Sequence, residues 1–452
     1  MMDDMSITRS PVRPRFGGAS PVVRALSNSW VRVALAWALT VVIDAYWTLS
    51  QWTEGYAWHH VTTVNDYWWA VLNASRNIGP SGFAHMYAGN GAILVALPGF
   101  QIFVAGAVRV VTLFGMSAPS IGLTFVHHAP SHQFVNGPAW IPVTAVAFAV
   151  GLAAIFPLVA LARRCGIASW RLAAVTVATL GALSYANVVW GHPDDTCVVG
   201  LLAWAFLRTL DRRWGSVAWL LGLSIAVQPM VITAIPVVLG MAGIRRWPRM
   251  FPRMVTPGLL AVAIPLIGDP RDTLRQILLQ PSNPLIGHAT TTPFMSVVPH
   301  PSRYVADGGW PRDIAVLLAC LAAWLVVRRA GELGGVSVGM LVWVAGLGTA
   351  LRCVFETELL PYYAIPAFVF LAIVASSRGW QRLLAELCAG ALTVWLIQIH
   401  PFGTWGSWLV LTGLFALSLL IAMPARARRS SPPARSQMRS DPTPPVLEPI
   451  GV

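Results

Sequence analysis

Asp66, the run His192-Pro193-Asp194-Asp195, and Arg352 with Glu356 are residue types from which proton transfer and phosphate binding are built. A carboxylate beside a hydroxyl can take its proton as a bond forms. A guanidinium suits the paired oxygens of a phosphate. Asp66 precedes Tyr67, Trp68, Val71 and Leu72, which recur at helical spacing, so it opens an aromatic interfacial helix. There it serves as a base or only as an N-cap. Asp194 and Asp195 open an apolar run after the breakers Gly191 and Pro193. Neighbouring residues on a helix do not face each other. Two readings follow: a capped turn, or one carboxylate capping while the other points into a cavity, with His192 near enough to share a proton. Arg352 and Glu356 are four apart and can pair on one helical face. That pair is either structural or a phosphate site. Tyr362, in the Pro-Tyr-Tyr that opens a late span, joins these residues as a substrate-binding candidate. The loop 278–294 is uncharged and rich in hydroxyls and amides, which suits sugar hydroxyls or plain solvent.

The histidine groups His127/His128/His132 and His59/His60 with Asp66 lack a specific metal spacing. The five cysteines form no CxxC, so neither a disulfide framework nor a zinc site is expected. No metal and no cofactor is expected. There is no Gly-rich phosphate loop, no GxSxG and no kinase signature.

The elements that must position these residues are membrane spans. Of the 452 residues, 56% are hydrophobic and 11% charged, against roughly 25% charged in soluble domains. Mean hydropathy is +0.63. This excludes a soluble enzyme, a disordered chain and a nucleic-acid-binding module. The net charge of +13 comes from arginines clustered between long apolar runs, and the chain contains no lysine. About a dozen runs approach the ~20 residues needed to cross a bilayer. They fall near 31–50, 91–115, 139–161, 171–190, 197–209, 216–243, 254–268, 313–328, 336–352, 360–375, 383–399 and 405–423. The expected fold is an all-α polytopic bundle of about 11–13 spans over residues 31–423. A basic tail, 1–30, precedes it, and a Pro/Ser/Arg-rich tail, 424–452, is expected to be disordered. No cleavable signal peptide is visible.

Positive-inside charge puts both tails and the arginine clusters in the cytoplasm. Loops 51–90 and 269–311, with the candidate carboxylates, then lie outside. Parity does not close if 91–115 and 216–243 each cross once. One repair makes 91–126 a double or re-entrant crossing and splits 216–243 at Gln228-Pro229. The other puts Arg163–Arg213 outside and "GHPDD" inside. The charge rule favours the first.

In layout, residues 30–400 resemble the GT-C superfamily of integral-membrane glycosyltransferases. The likeness is to the actinobacterial mannosyltransferase-like branch that uses polyprenyl-phosphate sugars. The residues that carry it are "VNDYWWA" (64–70), "WGHPDD" (190–195), "GLSIAVQPM" (222–230) and "FETELLPYY" (355–363). The resemblance implies that Asp66, in the first outer loop, is the catalytic base. It departs from the family at Gly191-His192, where a Gly-Gln turn is usual. It departs again at Gln228-Pro229, where Lys-Pro is common. The implied activity moves a sugar, mannose by this likeness, from a polyprenyl-phosphate donor to a lipid or glycan acceptor. The implied setting is the outer face of the plasma membrane, with the bilayer itself as a partner and no nucleic acid. His192, Asp194, Asp195, Arg352, Glu356 and Tyr362 would hold substrate. The competing classes are a transporter or flippase, which predicts charges along a midplane path, and a non-catalytic member of the family.

Overall fold

The computed structural model describes residues 28–53, 98–116, 120–126, 129–136, 140–279, 283–284, 290–293, 304–305, 310–333, 336–356, 358–399 and 401–424. The fold is an all-α polytopic bundle. Its helices are α1 (Ser29–Thr53), α2 (Gly99–Leu113), α3 (Trp140–Leu152), α4 (Ile155–Arg164), α5 (Ser169–Ser184) and α6 (Pro193–Leu210). Then come α7 (Trp214–Val227), α8 (Ile235–Ala242), α9 (Trp247–Gly268), α10 (Pro270–Leu279) and α11 (Trp310–Leu333). The last four are α12 (Val338–Phe355), α13 (Ile365–Arg378), α14 (Trp380–Ile399) and α15 (Thr404–Ile421). Among the described residues, eight helical segments are long and apolar enough to cross a membrane. Three shorter apolar helices accompany them. Large apolar side chains such as Leu39, Ile43, Leu260, Ile267, Leu409 and Leu420 are exposed on the outside of the bundle. A soluble protein would bury such a surface; a bilayer covers it.

Three short antiparallel ladders interrupt the helices. The first pairs β1 (Ser120–Val126) with β2 (Ala129–Asn136), in a stretch for which no strand was expected. The second joins β3 (Asn283–Pro284) to β5 (Tyr304–Val305). The third joins β4 (Thr290–Thr291) to β6 (Glu358–Leu359), tying the long loop after α10 to the segment after α12.

The bundle has two chemically different ends. At one, the Arg163 guanidinium donates to Ser29 Oγ at 2.7 Å and lies 4.0 Å over the Trp30 ring. Arg164 pairs with Asp211 at 3.0 Å. Arg246 lies over Trp214 at 5.2 Å, and Arg382 donates to the carbonyl of Ile421. Arg163 and Arg164 therefore share an end with the start of α1. The start of α7 and the residues after α8 share it too, so the run 216–243 turns back on itself instead of crossing once. Gln228 is extended (φ −159°) before Pro229, which ends α7 because a residue preceding proline avoids the helical region. The start of α12 reaches the same end, with Trp343 donating to the Leu419 carbonyl at 2.8 Å.

Glycines allow the closest helix crossings, as is common where lipid gives no hydrophobic drive between helices. A Cβ on Gly200 of α6 would fall 2.7 Å from Ala154 Cα. One on Gly222 of α7 would fall 2.9 Å from the Met254 carbonyl carbon. Phe206 and Phe370 meet edge to face at 5.9 Å in the fully buried centre.

Candidate functional site

The other end of the bundle gathers the polar residues. α5 ends in a π-helical turn, Tyr185–Val189, a form often found at functional sites. The chain then reverses at Gly191, whose φ of +67° is a left-handed conformation that costs a side-chain-bearing residue about 1–2 kcal/mol. The His192 N–H closes the turn on the Ala186 carbonyl at 3.1 Å. Pro193 then occupies the first turn of α6, where its missing N–H costs nothing. Asp194 and Asp195 follow in that turn, next to the positive end of the helix dipole, and Arg208 sits in the last turn. The N-cap residue, His192, makes no side-chain cap hydrogen bond. Behind the turn, Thr196 Oγ1 donates within a buried set made with Asn187 Oδ1 and the Pro193 carbonyl, both at 2.9 Å. Gly151 of α3 makes room for this set: a Cβ there would meet Thr196 and would lie 2.9 Å from the Pro193 oxygen.

His192, Asp194 and Asp195 are all buried. His192 Nδ1 stands 3.7 Å from Asp194 Oδ1 and 3.6 Å from Asp195 Oδ2. One ligand-type atom from each of the three residues lies within 4.8 Å of the others. The Tyr362 ring stacks on the His192 imidazole, with centroids 4.1 Å apart and planes 20° from parallel. Trp190 adds a third ring, 5.6 Å from Tyr362.

Arg352 and Glu356 close the other side. They sit at the end of α12, where Arg352 Nε donates to Glu356 Oε2 at 3.1 Å. Their side chains are 12% and 3% exposed. The Arg352 guanidinium carbon lies 4.6 Å over the ring of Tyr363, which packs edge-on against Tyr362. Asp195 is also close enough to act electrostatically on Arg352. Arg352 Nη1 is buried and makes no hydrogen bond among the described residues. Thr292 donates to the Glu356 carbonyl at 2.6 Å and so holds the segment 290–293 beside the pair.

All six residues expected to hold substrate therefore meet around Tyr362: His192, Asp194, Asp195, Arg352, Glu356 and Tyr362 itself. Asp66 lies outside the described residues, as do His59, His60, His127 and His128. His132 lies on β2 opposite Thr124. No family model matches the chain, and no curated protein matches it either.

Two buried carboxylates stand apart from this cluster. Asp44 of α1 accepts a 2.5 Å hydrogen bond from Ser184 at the end of α5, so it lies at the polar end of the bundle. Glu386 of α14 is 1% exposed, and neither of its oxygens has a hydrogen bond among the described residues. Sequence reasoning overlooked Glu386. The signal was present: a lone acid among the apolar residues of the span 380–399.

Proposed function

We propose that this chain is an integral-membrane glycosyltransferase that takes a sugar from a polyprenyl-phosphate donor on the extracytoplasmic side. The observation that carries this reading is the state of Arg352. Its Nε is engaged by Glu356 while Nη1 is buried and makes no hydrogen bond among the described residues. A guanidinium held in this way presents its remaining N–H groups to an anion, and phosphate oxygens match that geometry. A leaving phosphate gathers negative charge as the glycosidic bond breaks, so a fixed cation in a water-poor site lowers that barrier. Tyr362, Trp190 and His192 supply ring faces suited to a sugar. Asp66 takes the acceptor's proton in this scheme, on the strength of its sequence context and the family resemblance. The lipid-exposed flanks of the bundle give a polyprenyl tail a place to lie. Mannose is the proposed sugar, and the chain is placed in the plasma membrane with both termini in the cytoplasm.

The test is transfer of radiolabel from polyprenyl-phosphate mannose in membranes containing the full chain. Wild type should transfer label to a lipid or glycan fraction. Asp66→Asn keeps shape and capping ability but cannot accept a proton, so it should lose ~10²–10⁴-fold in rate at unchanged expression. Wild-type transfer by a folded Asp66→Asn protein would reduce Asp66 to a cap. No transfer by wild type from any such donor would leave the transporter or non-catalytic reading ahead.

A further inference from the structure

We propose that His192, Asp194 and Asp195 bind one divalent metal ion of mixed nitrogen and oxygen preference, of the Mn²⁺ class. The ion would lie beside Arg352, so that cation and guanidinium together receive an anionic phosphate.

Three observations carry this. The first is geometry. One imidazole nitrogen and two carboxylate oxygens lie within 4.8 Å of one another. Ligands on opposite sides of a small divalent ion are about 4–5 Å apart, given bond lengths of roughly 2.0–2.4 Å. His192 Nδ1 lies 3.7 and 3.6 Å from the nearest oxygens of Asp194 and Asp195, inside that span. Tyr362 already fixes the imidazole plane by stacking, and the first turn of α6 fixes the two carboxylates.

The second is a buried acceptor. The Asp194 side chain is 3% exposed, and its Oδ1, which faces His192 Nδ1 at 3.7 Å, has no hydrogen bond among the described residues. A carboxylate that merely capped α6 would spend its oxygens on the free N–H groups of the first turn. A buried carboxylate oxygen left without a hydrogen bond is costly unless a cation meets it.

The third is charge. Three buried carboxylates, Asp194, Asp195 and Glu356, share this end of the bundle with one buried guanidinium, Arg352, which pairs with Glu356. With His192 neutral, the formal excess is two negative charges, which one divalent ion cancels. The mixed donor set disfavours Ca²⁺ and Mg²⁺, which prefer all-oxygen shells, and suits Mn²⁺ or Zn²⁺. The ion's role on a donor phosphate rests on the proposed transferase reading; its binding does not.

The full chain in detergent, stripped with EDTA and titrated with Mn²⁺, gives the test by electron paramagnetic resonance. One saturable Mn²⁺ per chain is expected. Its echo modulation should carry a nitrogen signature from an imidazole, and Zn²⁺ should displace it. Asp194→Asn and His192→Gln should each weaken binding at least tenfold, and the nitrogen signature should vanish in His192→Gln. Wild type needs no variant to fail: the absence of saturable Mn²⁺ overturns the proposal, and so does bound Mn²⁺ without nitrogen coupling. Undiminished binding in folded Asp194→Asn also overturns it. If Mn²⁺ binds at these residues but no donor yields transfer, the metal site stands and the transferase reading falls. Transfer at full rate by EDTA-stripped protein would instead remove the ion from the phosphate.

Discussion

Replacing Glu356 by Gln strands the Arg352 guanidinium in a site where its own side chain is only 12% exposed. The separation of 3.1 Å between Nε and Oε2 corresponds to about 5 kcal/mol of attraction at an effective dielectric near 20. Breaking one side of such a buried pair typically costs ~3–5 kcal/mol, because the surviving charge stays buried. Two features soften the loss for Glu356→Gln: the Tyr363 ring still faces the cation at 4.6 Å, and Asp195 still attracts it. About 3 kcal/mol is therefore expected. Arg352→Gln should be worse, since it leaves Glu356 and Asp195 without the guanidinium that attracts both. The double variant removes one positive and one negative charge, so it should be more stable than the sum of the single losses allows. A coupling of at least ~1.5 kcal/mol is expected from denaturant titrations of the detergent-solubilised chain. Independent sites add to within ~0.5 kcal/mol, so a coupling no larger than that would refute the buried-pair argument. Additive losses in the double variant would mean that Arg352 is held by something other than Glu356, and a ligand phosphate would be the first candidate.

Three further outcomes follow from the packing and the two ends of the bundle. Gly191→Ala should cost about 1–2 kcal/mol through its positive φ, and Gly151→Ala about 1–3 kcal/mol by overpacking against Pro193 and Thr196. Gly181→Ala, which meets nothing within 4 Å, should be neutral or stabilising; similar losses at all three would undo the close-packing account. In a chain stripped of its five native cysteines, Gly403→Cys should react with an impermeant thiol reagent from outside the cell and Ser169→Cys only after permeabilisation; the reverse pattern would invert the proposed orientation and with it the donor. Glu386→Gln should hold or raise thermal stability and leave sugar transfer unchanged. A clear loss of stability would show that the carboxylate is paired.

Much of the site was legible because it depends on short-range rules. Arg352 and Glu356 are one helical turn apart, and that spacing alone predicts the pair. Gly191 and Pro193 mark the reversal that carries His192, Asp194 and Asp195. Three things were not legible. The stacking of Tyr362 on His192 joins residues 170 positions apart in the chain and leaves no periodicity to read. Thr292 reaches Glu356 through a two-residue ladder too short to show as alternation. The doubling of 216–243 was visible only as a parity conflict, because an apolar run has the same composition whether it crosses once or turns at Gln228.

The positions of the charges bear on the choice between a surface-facing enzyme and a carrier. A carrier needs polar groups along a path through the bundle. Here the candidate ligands sit where helices end: the first turn of α6, the last turn of α12 and the short turn before α13. Asp44, which hydrogen-bonds the end of α5, belongs to the same end. The arginines pair at the opposite end, with Asp211, Ser29 and helix-terminal carbonyls. Between the two ends Phe148, Phe206 and Phe370 are fully buried, and the buried polar groups beside them are mostly hydroxyls such as Thr176, Ser224 and Thr393. Glu386 is the exception that a carrier would require to be one of a series. A single buried carboxylate facing the Ser418 helix does not make a path, whereas the six candidate residues gather at one end of the bundle.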